Sequence, residues 1–267
     1  MDVTSRGYRA WRRRPLSKRQ RQDMVLRAHI REQHHFSLKS YGRPRMTQEL
    51  KDIGLSVGHR RVGRLMRQNN IYAIRIRKYK VTTDSNHTFN IAPNLLDQDF
   101  SADKPNQKWA GDISYLWTRE GWQYLAVIID LHSRRIVGWV VSDSLKQDLA
   151  MQALNRAIAL RNPELGCIHH KDLGSQYCAY DYQKQLRQLK FQVLMSGKGN
   201  CWDNAVSETF IKTLSAEQIW RYSWQTRKQL TDALFKYIKG FYNIRRRHST
   251  LGGISPAQFE KISAEKR

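Results

Sequence analysis

The 267 residues, 40% apolar and 10% aromatic, are enough for one large domain or two modest ones with a buried core. A formal charge of +24 favours a polyanionic partner, and nucleic acid is the commonest of these. No run approaches the roughly 18 apolar residues of a membrane helix, and the Arg-rich start lacks the apolar core of a signal peptide.

The charge is unevenly placed. Residues 1–80 hold 22 Lys and Arg against 5 Asp and Glu, whereas the remaining 187 hold 25 against 18. A basic module therefore precedes a more balanced one. Cys167, Cys178 and Cys201 form no CxxC pair, and His34 and His35 have no cysteine pair nearby, so neither a disulfide framework nor a zinc module is supported. The expected location is a reducing, DNA-containing compartment: the bacterial cytoplasm, in association with the nucleoid.

In chain order, Ser17 with Gln20 three residues on reads as a capping box. The helix it opens carries Leu26 and Ile30 on one side and ends near His34. A break at Tyr41-Gly42-Arg43-Pro44 precedes a second helix over about Thr47–Asp52. Gly54 and Gly58 then bracket a turn before a third helix at His59–Gln68. There Val62, Leu65 and Met66 form an apolar face, with Arg60, Arg64 and Arg67 on another and Arg61 beside them. Helix, Gly-containing turn and Arg-studded helix fit a helix-turn-helix that contacts DNA. The plainer alternative is a solvated basic helix in a small bundle. A basic helical segment over 1–35 and a helix-turn-helix module over 36–80 are thus expected, followed by a linker over 81–104 rich in Thr, Asn, Asp and Pro.

From Trp109 the pattern turns to strands: Trp109–Trp117, Gln123–Leu131 and Arg135–Ser142, with short turns that suit an antiparallel meander. A helix over Gln147–Arg161 follows, with Leu149, Ala153, Ala157 and Leu160 on its buried side. A strand at Cys167–His170, a helix near Tyr180–Leu189, a strand at Gln192–Met195 and helices at Ala205–Ile219 and Arg227–Arg245 complete the order. The expected fold is α/β, a mixed five-stranded sheet flanked by helices in ribonuclease-H-like order over 105–262, preceded by the small all-α module.

Residues 101–267 hold fifteen carboxylates, and three sit in unusual surroundings. Asp112 lies mid-strand among residues suited to burial, where a lone charge is costly unless paired or bound to a cation. Asp172 follows a strand and precedes Gly174. Glu208 is in the first turns of a helix, after a polar Gly-rich loop. Three such carboxylates can converge on two divalent ions about 3.5–4 Å apart, an arrangement suited to phosphodiester chemistry. Hard oxygen ligands suit Mg(II) or Mn(II). Taken singly, each is equally an ordinary capped or salt-bridged carboxylate. Asp130 competes from the end of another apolar strand, with Arg134 or Arg135 as its expected partner and a structural role. Asp203-Asn204 reads first as an N-cap pair.

Fifty-nine residues separate Asp112 from Asp172, and thirty-five separate Asp172 from Glu208. Around them stand Trp109-Ala110-Gly111-Asp112-Ile113-Ser114-Tyr115, His170-Lys171-Asp172-Leu173-Gly174-Ser175-Gln176-Tyr177 and Lys198-Gly199-Asn200-Cys201-Trp202-Asp203-Asn204-Ala205. Tyr242-Asn243, Arg246-Arg247-His248-Ser249, Leu251-Gly252 and Ser255-Pro256 follow, and Arg61-Val62-Gly63-Arg64-Leu65-Met66 lies upstream. Over nearly the whole chain this pattern resembles the second-frame (OrfB) transposases of the insertion sequence three family, whose core is similar to retroviral integrases. Lys171, Leu173 and Gly197 stand where family members usually carry Ser, Arg and Arg.

The resemblance implies a DNA transposase with a catalytic triad of Asp112, Asp172 and Glu208 holding two Mg(II) ions, replaceable by Mn(II). Water would free a 3′-hydroxyl at the element's end, and that hydroxyl would attack a second phosphodiester directly. Lys212, four residues after Glu208, reads either as its i,i+4 ion-pair partner or as a phosphate contact. Lys198, Asn200, Trp202 and Asn204 are candidates for gripping the DNA end, with Trp202 either stacking on an unpaired base or serving as a core tryptophan. Arg245, Arg246 and Arg247 are expected to track the backbone. By resemblance the partners are terminal repeats and target DNA, a first-frame product or its frameshift fusion, and at least a second copy. The rival readings are a ribonuclease-H-like nuclease or resolvase that cuts without joining, and a DNA-binding regulator derived from a decayed transposase.

Overall fold

In a computed structural model, residues 4–74, 101–145, 148–171, 180–195 and 205–265 are described. Asp172, Lys198, Asn200, Trp202 and Asn204 lie outside them, as does most of the expected linker. Contacts divide the chain into two units, Met1–Ile74 and Arg75–Arg267.

The first unit is helical: α1 (Ser5–Arg13), α2 (Lys18–Phe36), α3 (Arg43–Asp52) and α4 (His59–Gln68). Local signals set the ends. Ser17 and Gln20 form the capping box at the start of α2, satisfying two otherwise orphaned amides. Pro44 sits in the first turn of α3, where its missing N–H costs nothing. That lets the helix begin four residues earlier than the apolar pattern indicates. Helices α2, α3 and α4 pack on one another through Leu26, Ile30, Met46, Leu50, Val62, Leu65 and Met66, all buried. The short α1 buries nothing, so it left no apolar period to read.

The second unit is built on β1 (Lys108–Thr118), β2 (Gly121–Asp130), β3 (Ile136–Ser142), β4 (Ile168–Lys171) and β5 (Gln192–Met195). Their order in the sheet is β3-β2-β1-β4-β5. The first three form the antiparallel meander, while β4 and β5 add in parallel. Helix α5 (Asp148–Arg161) crosses between the two halves, and α6 (Tyr180–Gln188) links β4 to β5.

Leu149, Ala150, Ala153, Leu154 and Ala157 of α5, with Tyr182 and Leu186 of α6, bury one face of the sheet around Trp109, Ala126 and Ile128. Gly138 permits the close approach: a Cβ there would collide with the Ala153 carbonyl and the Ala157 methyl. Leu160, expected on the buried side of α5, is 50% exposed. It falls in the last turn of the helix, and Leu154 is among the residues that take the core positions.

Helix α7 (Ala205–Glu217) packs against β1. Beyond it α8 (Arg227–Phe235) opens on a Thr226–Gln229 capping box. The single helix expected to Arg245 instead passes into a π-helical stretch at Lys236–Tyr242. A last helix, α9 (Pro256–Glu265), follows. Within the register shift between β2 and β3 at Ile128/Ile129, Asn243 acts as a substitute strand. Its Oδ1 accepts from the Ile136 amide and its Nδ2 donates to the Ile136 carbonyl, both at 2.9 Å.

Candidate functional site

Asp112 is near the middle of β1 and half-buried, less enclosed than the apolar residues around it suggest. Its Oδ1 accepts from the Ile113 amide at 2.8 Å. The strand's period of two turns Asp112 away from Trp109 and Ile113, which belong to the α5 face. It therefore shares the side of β1 against which α7 lies, where Leu116 lines a cleft together with Ser215.

Glu208 is in the first turn of α7, and its side chain is 37% exposed. Helix α7 thus places a carboxylate on the same side of the sheet as Asp112. Strand β4 runs parallel to β1 with Lys171 opposite Gly111, so the chain enters Asp172 from the strand next to Asp112. Among the described residues no group of three His, Cys, Asp and Glu side chains is gathered as a metal site; Asp172 lies outside them. The donors fit a hard divalent ion in kind. Asp112 and Glu208 are carboxylates at partly open positions, suited to a cation that keeps part of its water.

Lys212 donates from Nζ to Glu208 Oε2 at 2.8 Å. The geometry is the i,i+4 pair, with the lysine side chain 48% exposed.

Asp130 is fully buried and well satisfied. It accepts from the amides of Asn106 (2.8 Å) and His132 (2.9 Å) and from Arg161 Nη2 (3.2 Å). The expected partner was wrong. Arg161, on α5, closes the ion pair, and Arg135 turns to Glu260 of α9. Burial lowers the Arg134 guanidinium pKa, partly countered by Tyr242 and Asp130 nearby. Burial raises the Glu260 pKa, but hydrogen bonds from Arg161, Ser133 and Arg135 outweigh it and hold Glu260 below its usual value. Cys167 is buried, and its thiol is pushed up to about 12, leaving it a neutral core group.

The Arg245-Arg246-Arg247 run divides. Arg245 is exposed. Arg246, expected on a DNA backbone, is 6% exposed and grips Glu217 with Nε and Nη2 at 2.8–3.1 Å. Tyr237 donates to the same carboxylate at 2.7 Å. Arg247, also buried, donates to the Gly253 carbonyl at 2.7 Å. Arg246 is thus spent on a buried carboxylate and Arg247 on a half-buried carbonyl, so both tie the C-terminal segment together. Only burial, which spacing does not report, separates them from Arg245.

In the first unit, Arg60 and Arg67 are exposed on α4. Arg61 and Arg64 are half-buried and pair with Asp23 of α2 at 2.8 and 2.7 Å. The Arg64 hydrogen bond, with Arg61 helping against burial, lowers the Asp23 pKa.

Models of known families match three stretches: an HTH-like domain at residues 20–79 and an integrase core domain at 102–201 and again at 208–263. The chain is 41% identical to the transposase InsF for insertion sequence IS3A of Escherichia coli K12, over 97% of its length and 90% of that protein. It is 40% identical to a 31 kDa protein of insertion element IS600 from Shigella sonnei, over 97% of its length and 95% of the other. Among solved structures, a simian T-cell lymphotropic virus intasome in complex with a phosphatase regulatory subunit aligns at a TM-score of 0.50 and 16% identity. That alignment covers 86% of this chain and 74% of the viral one. At that identity the likeness shows the fold alone, an integrase-like sheet with flanking helices.

Proposed function

The chain belongs to the IS3 family of insertion-sequence transposases, and from that premise we propose that it cuts and joins DNA with Asp112, Asp172 and Glu208. The observation that carries the reading is the packing of α7 on β1, which puts Glu208 on the Asp112 side of the sheet. Strand β4 meanwhile delivers the chain to Asp172 one residue after its pairing with Gly111. These three carboxylates would hold two Mg(II) ions, replaceable by Mn(II), whose chemistry is to activate the attacking oxygen and stabilise the leaving one.

A water oxygen attacks the phosphorus at the element's end, and the broken P–O3′ bond releases a 3′-hydroxyl. That hydroxyl attacks a second phosphodiester, forming a new P–O bond as the old 3′ oxygen leaves with the proton. The chain's side chains position these groups. Lys212 can swing from Glu208 to a phosphate, since both ends of the pair reach solvent. Lys198, Asn200, Trp202 and Asn204, which precede α7 in the chain, would grip the DNA end. Arg245 would contact the backbone.

Helix α4 would enter the DNA with Arg60 and Arg67, while Arg61 and Arg64 set its angle against α2 through Asp23. A division of labour follows, with residues up to about 80 binding DNA and residues 105–262 performing the chemistry. Two element ends must meet, so a second copy is expected in the working complex, together with a first-frame product or its fusion.

The test uses a labelled duplex carrying the element's terminal repeat, with Mg(II). Cleaved and joined products are expected, and Asp112→Asn should lower both by more than about a hundredfold, beyond the usual 10–100-fold loss for a group that only supports a ligand. Joining that survives Asp112→Asn would sink the triad. Cutting without joining would favour a nuclease, and binding alone a regulator.

A further inference from the structure

A second cluster lies at the hairpin end of β1. Tyr115 and Trp117 stand directly across from Tyr124 and Trp122 of β2, and Trp117 meets Trp122 edge to face at 4.9 Å. Just past α7, a short 3-10 turn at Ile219–Arg221 brings Trp220 and Tyr222 to the same place. All of these rings but Tyr124 line a cleft of about 480 Å³. Tyr115, Trp117, Trp122, Trp220 and Tyr222 are 47–63% exposed. Single exposed aromatics are ordinary, but five around one cleft mark a binding surface.

The cleft is tied together by its own lining residues. The Arg119 amide donates to the Trp224 carbonyl at 3.0 Å, and the Trp224 indole donates to the Ile219 carbonyl at 3.1 Å. Among the described residues no carboxylate lines it, while Arg119 does. The Arg221 guanidinium lies 5.5 Å from the Tyr222 ring centre. Glu120, at the hairpin tip, is turned away and accepts from the Arg227 amide at 2.8 Å.

We propose that this cleft binds unpaired nucleobases of single-stranded DNA, which stack on Trp117, Trp220 and Tyr222 while Arg119 meets the phosphates. Stacking on aromatic faces beside positive charge is how proteins hold single strands without reading sequence. A protein partner is less well matched, because the only aliphatic side chains in the lining, Leu116 and Ile219, are themselves buried. The cleft shares β1 and α7 with the proposed carboxylates. Trp117 is five residues from Asp112, about 17 Å along the strand, within reach of a frayed DNA end. Tyr115 and Trp117 point to the opposite face from Asp112, so the cleft opens round the edge of β1, which among the described residues β4 pairs as far as Gly111.

The proposal shares with the preceding reading only that the chain handles DNA. It is tested without metal, so failure of the triad leaves it standing. Full-length protein is titrated against labelled oligo-dT and against a blunt duplex at one fixed salt concentration, in EDTA. Trp117→Ala/Tyr222→Ala should weaken oligo-dT binding roughly five- to a hundredfold and duplex binding less than about twofold, whereas the paired Phe substitutions retain oligo-dT binding. An unchanged thermal midpoint by circular dichroism shows the fold intact. Should the double variant not fold, Trp220→Ala alone must weaken oligo-dT binding severalfold. Equal loss on both DNAs, or no loss on oligo-dT, overturns the proposal. So does a variant that only breaks a dimer in sedimentation, which would assign the cleft to a second copy.

Discussion

At the residue scale, the same side-chain type does opposite work depending on where it lands. Arg245 and Arg246 are neighbours in a basic run, yet one is exposed and the other is held by Glu217, whose carboxylate also accepts from the Tyr237 hydroxyl. Removing one partner of a buried pair leaves an uncompensated charge, which typically costs about 3–5 kcal/mol. Arg246→Ala should therefore lower unfolding stability by about that amount in urea titrations. Arg245→Ala should change stability by less than about 0.5 kcal/mol. Comparable losses for the two would contradict the buried-pair reading. Asp130 teaches the same lesson. Its structural role was read from the arginines beside it in sequence, but its actual partner was not legible, since Arg161 lies thirty-one residues away on a helix.

At the element scale, α4 is oriented by a carboxylate from another helix. Asp23 receives Arg61 and Arg64, and its pKa is depressed in the folded state, led by the Arg64 bond. A depressed carboxylate contributes stability above its unfolded pKa of roughly 3.9, and that contribution is lost as pH falls through the lower folded value. Stability of the wild type should thus drop on acidification below about pH 4 by more than that of Asp23→Asn, which has already lost the pair. Parallel pH profiles for the two proteins would refute the linkage. The helix itself, from His59 to Gln68, was readable because its apolar face has the helical period and Gly58 precedes it. The pairing that aims it was not readable, because i,i+3 arginines on a surface look alike until a neighbour claims two of them.

At the scale of the whole molecule, the proposed division of labour follows the uneven charge, which is concentrated in residues 1–80. Each phosphate contact displaces condensed counterions, so affinity for duplex falls with salt at a log–log slope near 0.9 per contact. Arg60→Gln/Arg67→Gln should reduce that slope by about 2, and Arg61→Gln/Arg64→Gln should instead act mainly on the stability of the first unit. Identical slopes for wild type and the Arg60/Arg67 variant would remove α4 from the DNA interface. Among the described residues no helix is long and apolar enough to cross a membrane.

The order of elements, the meander, the capping box at Ser17 and the family were all determined by sequence, or by motifs within it, because periodicity, turn chemistry and motif spacing act over a few residues at a time. The sequence also singled out Asp112 and Glu208. Tertiary structure decided which charges are free: Arg60 and Arg67 open, Arg61 and Arg64 bound to α2, Arg246 and Arg247 buried in the C-terminal segment. It also gathered Tyr115, Trp117, Trp122, Trp220 and Tyr222, which are spread over more than a hundred residues, around one cleft. The physical reason is common to both: burial and ion pairing depend on what the chain brings alongside from far away, and no local pattern records it.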